Sequence, residues 1–331
     1  MKKIRPDLEI QNQSFYFSSS EKMNALKNES IDVIVTSPPY NRGKTYLSEH
    51  GKQYNDSLPE SEYLSFLENV WRECYRVASN RCVFYLNIGD SARDQGKSEK
   101  VAKSAENAGW KRIQDIIWVK SLYGKGHYTP SGGKKRFNNI WEHVFLFVKK
   151  KSAYSLDPKA VGICYTDKTN IGRYSDVDKR DPGNVWHICY ETTTGATRKK
   201  GHAAPFPIGL PYKCIKSVSY ANTILDPFAG TGTTLIAAEL LGKKGYGYEK
   251  YPNSTLIQNT FEREKDFQPR EEILIPHYEV ALQELMKLLL NQHDLHITHP
   301  KTKKGQINRE ILVDTFDKMD VSFAWKKWFD I

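Results

Sequence analysis

Residues 222–250 read NTILDPFAGTGTTLIAAELLGKKGYGYEK, and the order of residue types in this stretch decides the fold class. A short apolar run ends on Asp226, the chain turns through Gly230 and Gly232, a helical pattern opens near Thr233, and a second strand, GYGY at 245–248, ends on Glu249. Strand, glycine-rich turn, helix and strand in that order make a parallel α/β unit. Glycines in such a turn let a ligand come close to the backbone, and the helix N-terminus behind them favours a negative group. An acidic residue at the end of the second strand, about 20 residues on, is placed to hydrogen-bond ribose hydroxyls. The unit therefore reads as an adenosine-type pocket. A dinucleotide fingerprint asks for G-x-G-x-x-G, whereas the text from Gly230 is Gly-Thr-Gly-Thr-Thr-Leu, with no third glycine.

The N-terminal half has the same grammar. SFYF (14–17) reads as a strand, EKMNALKN (21–28) as a short helix, and IDVIV (31–35) as a buried parallel strand because its apolar run is continuous. That strand runs into TSPPY (36–40), and proline has no N–H for the ladder, so it must stop by Pro38. Further on, residues 61–78 place Tyr63, Phe66, Leu67, Val70, Trp71 and Tyr75 at helical spacing, and 81–90 follow as a strand. A helix is expected over 100–110 and strands over 112–120 and 141–150, the last two as a hairpin. Residues 151–200 lack periodicity and are rich in turn formers, which suggests a loop-rich insertion. A helix interrupted early by Pro211 is expected over 208–219, and another helical pattern lies at 278–290.

The chain has 331 residues, 49 Lys and Arg against 39 Asp and Glu, and a net charge of +10, a balance that favours polyanionic partners such as nucleic acid. Its five cysteines form no CxxC pair and no cluster at zinc spacing, so neither a metal site nor a disulfide framework is indicated. The N-terminus lacks the apolar stretch of a signal peptide, and no run approaches the ~18 apolar residues of a membrane span. A cytoplasmic protein with no membrane contact is the expectation.

Two of these stretches carry a family resemblance. DPFAGTGTT (226–234) resembles motif I, and TSPPY (36–40) motif IV, of S-adenosylmethionine-dependent DNA amino-methyltransferases of the restriction-modification type. The catalytic motif precedes the cofactor motif, as in the permuted β group. YNDSLP (54–59), NNIWEHVFLFVKK (138–150), DPGNVW (181–186) and HAAPFP (202–207) extend the similarity across most of residues 14–260, the last resembling motif X. The resemblance implies a Rossmann-like seven-stranded, mostly parallel sheet of order 3-2-1-4-5-7-6 with helices on both faces. It divides the chain into a catalytic part (1–150), a target-recognition region (151–200 with the loop 121–139), a cofactor-binding part of the same domain (201–268) and a C-terminal helical extension (269–331). The family usually carries an acidic or amide residue where Ser18 stands here, so that contact stays unassigned.

The chemistry of the family explains the residue types. An exocyclic amine on cytosine or adenine is a poor nucleophile because its lone pair is delocalised into the ring, and acceptors aimed at its N–H groups favour the pyramidal nitrogen that attacks a methyl sulfonium. By resemblance the catalytic residues are Ser37, whose Oγ joins the Pro38 carbonyl as acceptor, Pro39 as stiffener, and Tyr40, stacked on a base flipped out of the duplex. The cofactor, S-adenosyl-L-methionine, falls to Asp226, Phe228, Gly230, Gly232, Thr233, Thr234 and Glu249, with His202, Pro205 and Phe206 at its methionine end. Lys125, His127, Lys134, Lys135 and Arg136 are the candidate duplex-DNA contacts, neutralising phosphate. No metal is implied. A cognate restriction endonuclease acting on the same site is the implied companion, without direct contact, and the protein itself is expected as monomer or homodimer.

Serine at the first position of the SPPY tetrapeptide favours cytosine N4 as acceptor, since relatives acting on adenine N6 mostly carry Asp there. Adenine N6 stays open as the alternative. A non-catalytic DNA-binding module, a dinucleotide-dependent oxidoreductase, and methylation of RNA or protein amines are the more remote readings.

Overall fold

The computed structural model describes residues 4–43, 56–90, 94–120, 137, 139–165, 168–173, 176–188 and 206–267. The strands, in chain order, are β1 (Leu8–Ile10), β2 (Gln13–Tyr16), β3 (Ile31–Thr36), β4 (Ala78–Ile88), β5 (Lys111–Val119), β6 (Trp141–Val148), β7 (Val185–His187), β8 (Thr223–Asp226) and β9 (Lys244–Tyr248). The helices are α1 (Glu60–Val77), α2 (Lys97–Asn107), α3 (Gly209–Lys216), α4 (Thr233–Leu240) and α5 (Ser254–Glu264). None of the described helices is long and apolar enough to cross a membrane.

Among the described residues the strands form one sheet of nine, in the order β1-β2-β9-β8-β3-β4-β6-β5-β7. The seven from β2 to β5 take the places of the expected 3-2-1-4-5-7-6, with β6 antiparallel to both of its neighbours. Two strands exceed the expected seven, and both are short edge pieces. β1 folds back on β2 as an antiparallel hairpin, while β7 pairs parallel with β5. β7 comes from DPGNVW, so this part of the expected insertion hydrogen-bonds into the main sheet.

β3 is central because its residues bury both faces: Val33 and Val35 enter one core cluster and Ile34 the other. β4 alternates in the same way, with Val83 and Tyr85 on one side and Phe84, Leu86 and Ile88 on the other, the two-residue period of a strand. α3, α4 and α5 cover the first face through Leu210, Ile215, Leu235, Ile236 and Ile257. α1 and α2 cover the second through Tyr63, Leu67, Trp71, Val101 and Ala102. Trp71 is fully buried, and its indole N–H donates to Ser104 Oγ at 2.9 Å, which ties the two helices. Truncating it to alanine would cost about 3–5 kcal/mol.

Two sequence readings change. The expected helix at 21–28 is a run of turns. The Arg76 guanidinium of α1 donates to the carbonyls of Met23 and Leu26, and Glu73 accepts the Met23 N–H at 2.7 Å, so tertiary partners take the groups a helix would have paired internally. The second change is α5, which sequence periodicity did not single out. Its start is a side-chain cap, in which Asn253 Oδ1 accepts from Leu256 N at 2.9 Å.

Candidate active site

β3 and β8 are parallel neighbours, so their C-terminal ends, Thr36 and Asp226, lie side by side. Thr36 Oγ1 donates to Asp226 Oδ1 at 2.6 Å, joining the strand that carries TSPPY to the one that carries the glycine-rich turn. The crevice beyond adjacent strand ends is where open α/β sheets bind ligands.

On the TSPPY side the backbone is fastened at successive residues. Tyr63 of α1 donates its hydroxyl to the Pro39 carbonyl at 2.7 Å. The chain then reverses at Asn41, whose φ of +53° lies in the left-handed region that asparagine tolerates. The Asp56 carboxylate accepts the N–H groups of Asn41 (2.8 Å) and Arg42 (2.9 Å), and the Asn41 side chain pairs both ways with the backbone of Leu58. Lys97 Nζ reaches the Tyr40 carbonyl at 3.2 Å.

The functional groups of this segment form a chain. Ser37 Oγ donates to the Tyr40 hydroxyl at 3.2 Å, and Tyr40 donates in turn to Glu142 Oε2 at 3.0 Å. Glu142, on β6, also receives Asn87 Nδ2 at 3.2 Å and, on Oε1, Lys120 Nζ at 2.8 Å. Burial, and then the charge of Glu142, push the Tyr40 phenol well above its ordinary range, so it stays protonated. The Arg42 guanidinium lies 4.6 Å from the centre of the Tyr40 ring, a cation–π contact. Gly89 makes room for Glu142: a Cβ there would stand 2.5 Å from Glu142 Cγ.

On the other side, Asp226 is 2 % exposed and works as a brace. Its second oxygen accepts from Thr234 Oγ1 at 2.6 Å, and Phe228 N donates to the first at 3.0 Å. Burial pushes the Asp226 carboxyl up to about 6, against the two hydroxyls and the amide that favour its charge. Phe228 is half-buried, edge-on to Phe66 and Trp71. Glu249 accepts from Gly230 N and Tyr251 N, both at 2.9 Å, and burial holds its carboxyl above the usual range despite these donors.

The two glycines differ. Gly230 is exposed, and nothing lies within 4 Å of where its Cβ would be, so the backbone there is open to a ligand. Gly232, at φ +85°, has Phe15 and Phe261 rings 2.8 and 3.0 Å from its missing Cβ, so packing by itself already requires a glycine here. An open backbone at Gly230, beside an acid at the next strand end and the half-buried Thr233 that opens α4, fits the adenosine end of S-adenosylmethionine.

Of the residues expected from the sequence, Ser37, Tyr40, Asp226, Thr234, Gly230 and Glu249 come together at these strand ends. Phe206 packs against the core cluster that holds α3 and α4. His202 and Pro205, and the five DNA candidates Lys125, His127, Lys134, Lys135 and Arg136, lie outside the described residues. Glu142, Lys120, Asn87 and Asp56 were not singled out by the sequence. Glu142 stood inside NNIWEHVFLFVKK with no role attached, and only the β4–β6 pairing reveals one. Cys74, Cys82 and Cys214 are buried core residues whose thiols burial pushes up, so none of them is a reactive thiolate.

The family pattern described as DNA methylase matches residues 31–258, which include both strand ends. The chain belongs to the DNA methylase family. This methylase is 29% identical over 266 residues to the type II methyltransferase M.MthZI of Methanothermobacter thermautotrophicus, covering 71% of its own length and 72% of the relative's. It is 28% identical over 246 residues to the type II methyltransferase M.ScaI of Streptomyces caespitosus, covering 71% and 76%. The methylase also shares its fold with the PvuII cytosine-N4-specific DNA methyltransferase, with a TM-score of 0.56, 20% identity, and 78% and 94% of the two chains covered. TTHA0409 of Thermus thermophilus, solved with S-adenosyl-L-methionine, aligns at a TM-score of 0.51 and 22% identity over 77% and 95%.

Proposed function

We propose that this methylase transfers a methyl group from S-adenosyl-L-methionine to the exocyclic N4 amine of a cytosine flipped out of duplex DNA, marking a site against a cognate restriction endonuclease. The observation that carries the reading is the Thr36–Asp226 hydrogen bond, 2.6 Å long, which sets Ser37 beside the glycine-rich turn. Acceptor and methyl donor are thereby brought to one crevice.

Within that crevice the chain's own residues act on the amine. Ser37 Oγ gives its hydrogen to Tyr40, so its lone pairs remain to accept an N–H of the target base, and the Pro38 carbonyl accepts the other. The stiff Pro38–Pro39 backbone, held by Tyr63, keeps both acceptors aimed outward. The Tyr40 ring stacks on the base. Gly230 and Glu249 hold the adenosine end of the cofactor, with His202, Pro205 and Phe206 at the methionine end; the cofactor supplies an electrophilic methyl on sulfonium sulfur. Lys125, His127, Lys134, Lys135 and Arg136 neutralise phosphate, and residues 151–200 with 121–139 read the target. Serine rather than aspartate at position 37 supports cytosine as the acceptor.

The test is nucleoside mass spectrometry of plasmid DNA from methylation-free cells that express the protein. N4-methylcytosine is expected. N6-methyladenine would overturn the choice of base and keep the roles of the residues, whereas unmodified DNA would overturn the DNA reading as a whole.

A further inference from the structure

Methylation of an exocyclic amine leaves a proton to be removed, and the roles assigned so far do not say where it goes. As the nitrogen bonds to the methyl carbon, the carbon–sulfur bond breaks, the electron pair stays on sulfur, and sulfonium becomes thioether. The nitrogen, carrying the methyl and two hydrogens, is then cationic and strongly acidic. A flipped base buried against Tyr40 has little water to receive that proton.

Hydrogen-bond directions at the strand ends are unambiguous. Glu142 is a carboxylate with an ammonium 2.8 Å away and can only accept, so the single Tyr40 proton points to it and the Ser37 proton must point to Tyr40. Each hydroxyl is thus already set to pass a proton away from the amine. Three donors on three elements fix Glu142: Tyr40 after β3, Asn87 on β4 and Lys120 following β5. Gly89 leaves the room it needs. Resting on the amine-methylation reading, we propose that Glu142 is the terminal proton acceptor of the reaction, acting through Tyr40 and Ser37 as a relay.

The step balances. One proton leaves the methylated nitrogen for Ser37 Oγ as the Ser37 proton passes to Tyr40 and the Tyr40 proton to Glu142, so the amine ends neutral and Glu142 ends as a carboxylic acid. The other charged groups around the relay are Arg42 over the Tyr40 ring, Lys97 on the Tyr40 carbonyl with Asp94 as its ion partner, and Asp90, bound to the N–H groups of Gly96 and Ser98. His143, next along β6, faces Asp115 and stacks on Phe145, so it pairs with another carboxylate. Glu142 touches no reacting atom and is a positioning residue for the proton.

Single-turnover methyl transfer to plasmid DNA with radiolabelled S-adenosylmethionine, on the full chain, tests the relay. Glu142→Gln keeps the size of the side chain and removes the base; Tyr40→Phe keeps the ring and removes the link. Each is expected to slow transfer about 100-fold, within the usual contribution of general base catalysis, with cofactor Kd within about twofold of wild type. The double variant is expected to be no slower than either single one, because a chain cut once is already cut. Losses that multiply in the double variant, or a Tyr40→Phe rate within about threefold of wild type, overturn the relay. Should Glu142→Gln fail to fold, Tyr40→Phe decides by its rate alone. An inactive wild type on DNA would instead overturn the methylation reading, an outcome distinct from an active enzyme indifferent to both substitutions.

Discussion

Two carboxylates stand at the same end of the sheet, and their surroundings are opposite. Glu142 is half-buried with the Lys120 ammonium 2.8 Å away, and its donors lead through Tyr40 to Ser37. Asp226 is almost fully buried and bonded to two hydroxyls and an amide, and burial pushes it up to about 6. A carboxylate with a cation beside it can carry charge at a working site, whereas one held by neutral donors serves to tie backbone segments together. The glycines divide in the same way. Gly232 is closed in by rings and Gly230 opens to solvent, so the glycine-rich turn is rigid at its base and accessible at its lip.

Gly232→Val strikes this contrast hardest. The new side chain meets Phe15 and Phe261 and must adopt a left-handed φ, which together should cost on the order of 3 to 5 kcal/mol in denaturant unfolding. A loss below about 1 kcal/mol would mean that the rings give way and that packing does not require the glycine.

Asp226→Asn probes the brace with pH. Because the folded-state value is raised from 3.8 to about 6, the stability this group allows is fully present below about pH 4 and is lost as pH rises through 6. Relative to wild type, the variant should therefore gain with rising pH, by on the order of 3 kcal/mol between about pH 4 and 7 at ~1.36 kcal/mol per pH unit. A difference that does not change with pH would show that Asp226 is ionised in the fold without penalty.

Ser37→Ala sits on the working side and should leave the fold alone. Turnover is expected to fall about 100-fold, or about 2.7 kcal/mol, with cofactor affinity unchanged in equilibrium binding. Equal losses in turnover and affinity would remove Ser37 from the reacting amine. Of the two glycine variants the smaller cost in stability belongs to Gly230→Ala, where open space leaves only the left-handed strain of about 1 kcal/mol, and the larger change should be weaker cofactor binding. If its unfolding cost matched that of Gly232→Val, the two glycines would not be different after all.

Much of the fold was legible because β3, β8 and β9 are short apolar or glycine-bearing strands with turn residues at their ends, and those patterns are local. The β2-to-β5 strand order came with the family resemblance. What local pattern misread was 21–28, where amphipathic spacing mimics a helix but Arg76 and Glu73, some 50 residues away, take the backbone groups. β1 and β7 are three residues each, too short to show a period, and exist because a neighbour's free edge pairs with them.

The site divides along the same line. Read by itself, the chain already required that a strand end at Pro38, that Ser37 and Tyr40 stand at that end, and that a glycine-rich turn precede a helix at Thr233, because proline, glycine and apolar runs act on their own backbone. Folding in three dimensions was needed to turn Asp226 toward Thr36 instead of open solvent, to shut Gly232 in behind Phe15 and Phe261, and to bring the Tyr40 hydroxyl to Glu142, 102 residues away. Those contacts join segments that are close in the fold and distant in the chain, and a hydrogen bond between side chains leaves no periodic trace in either segment.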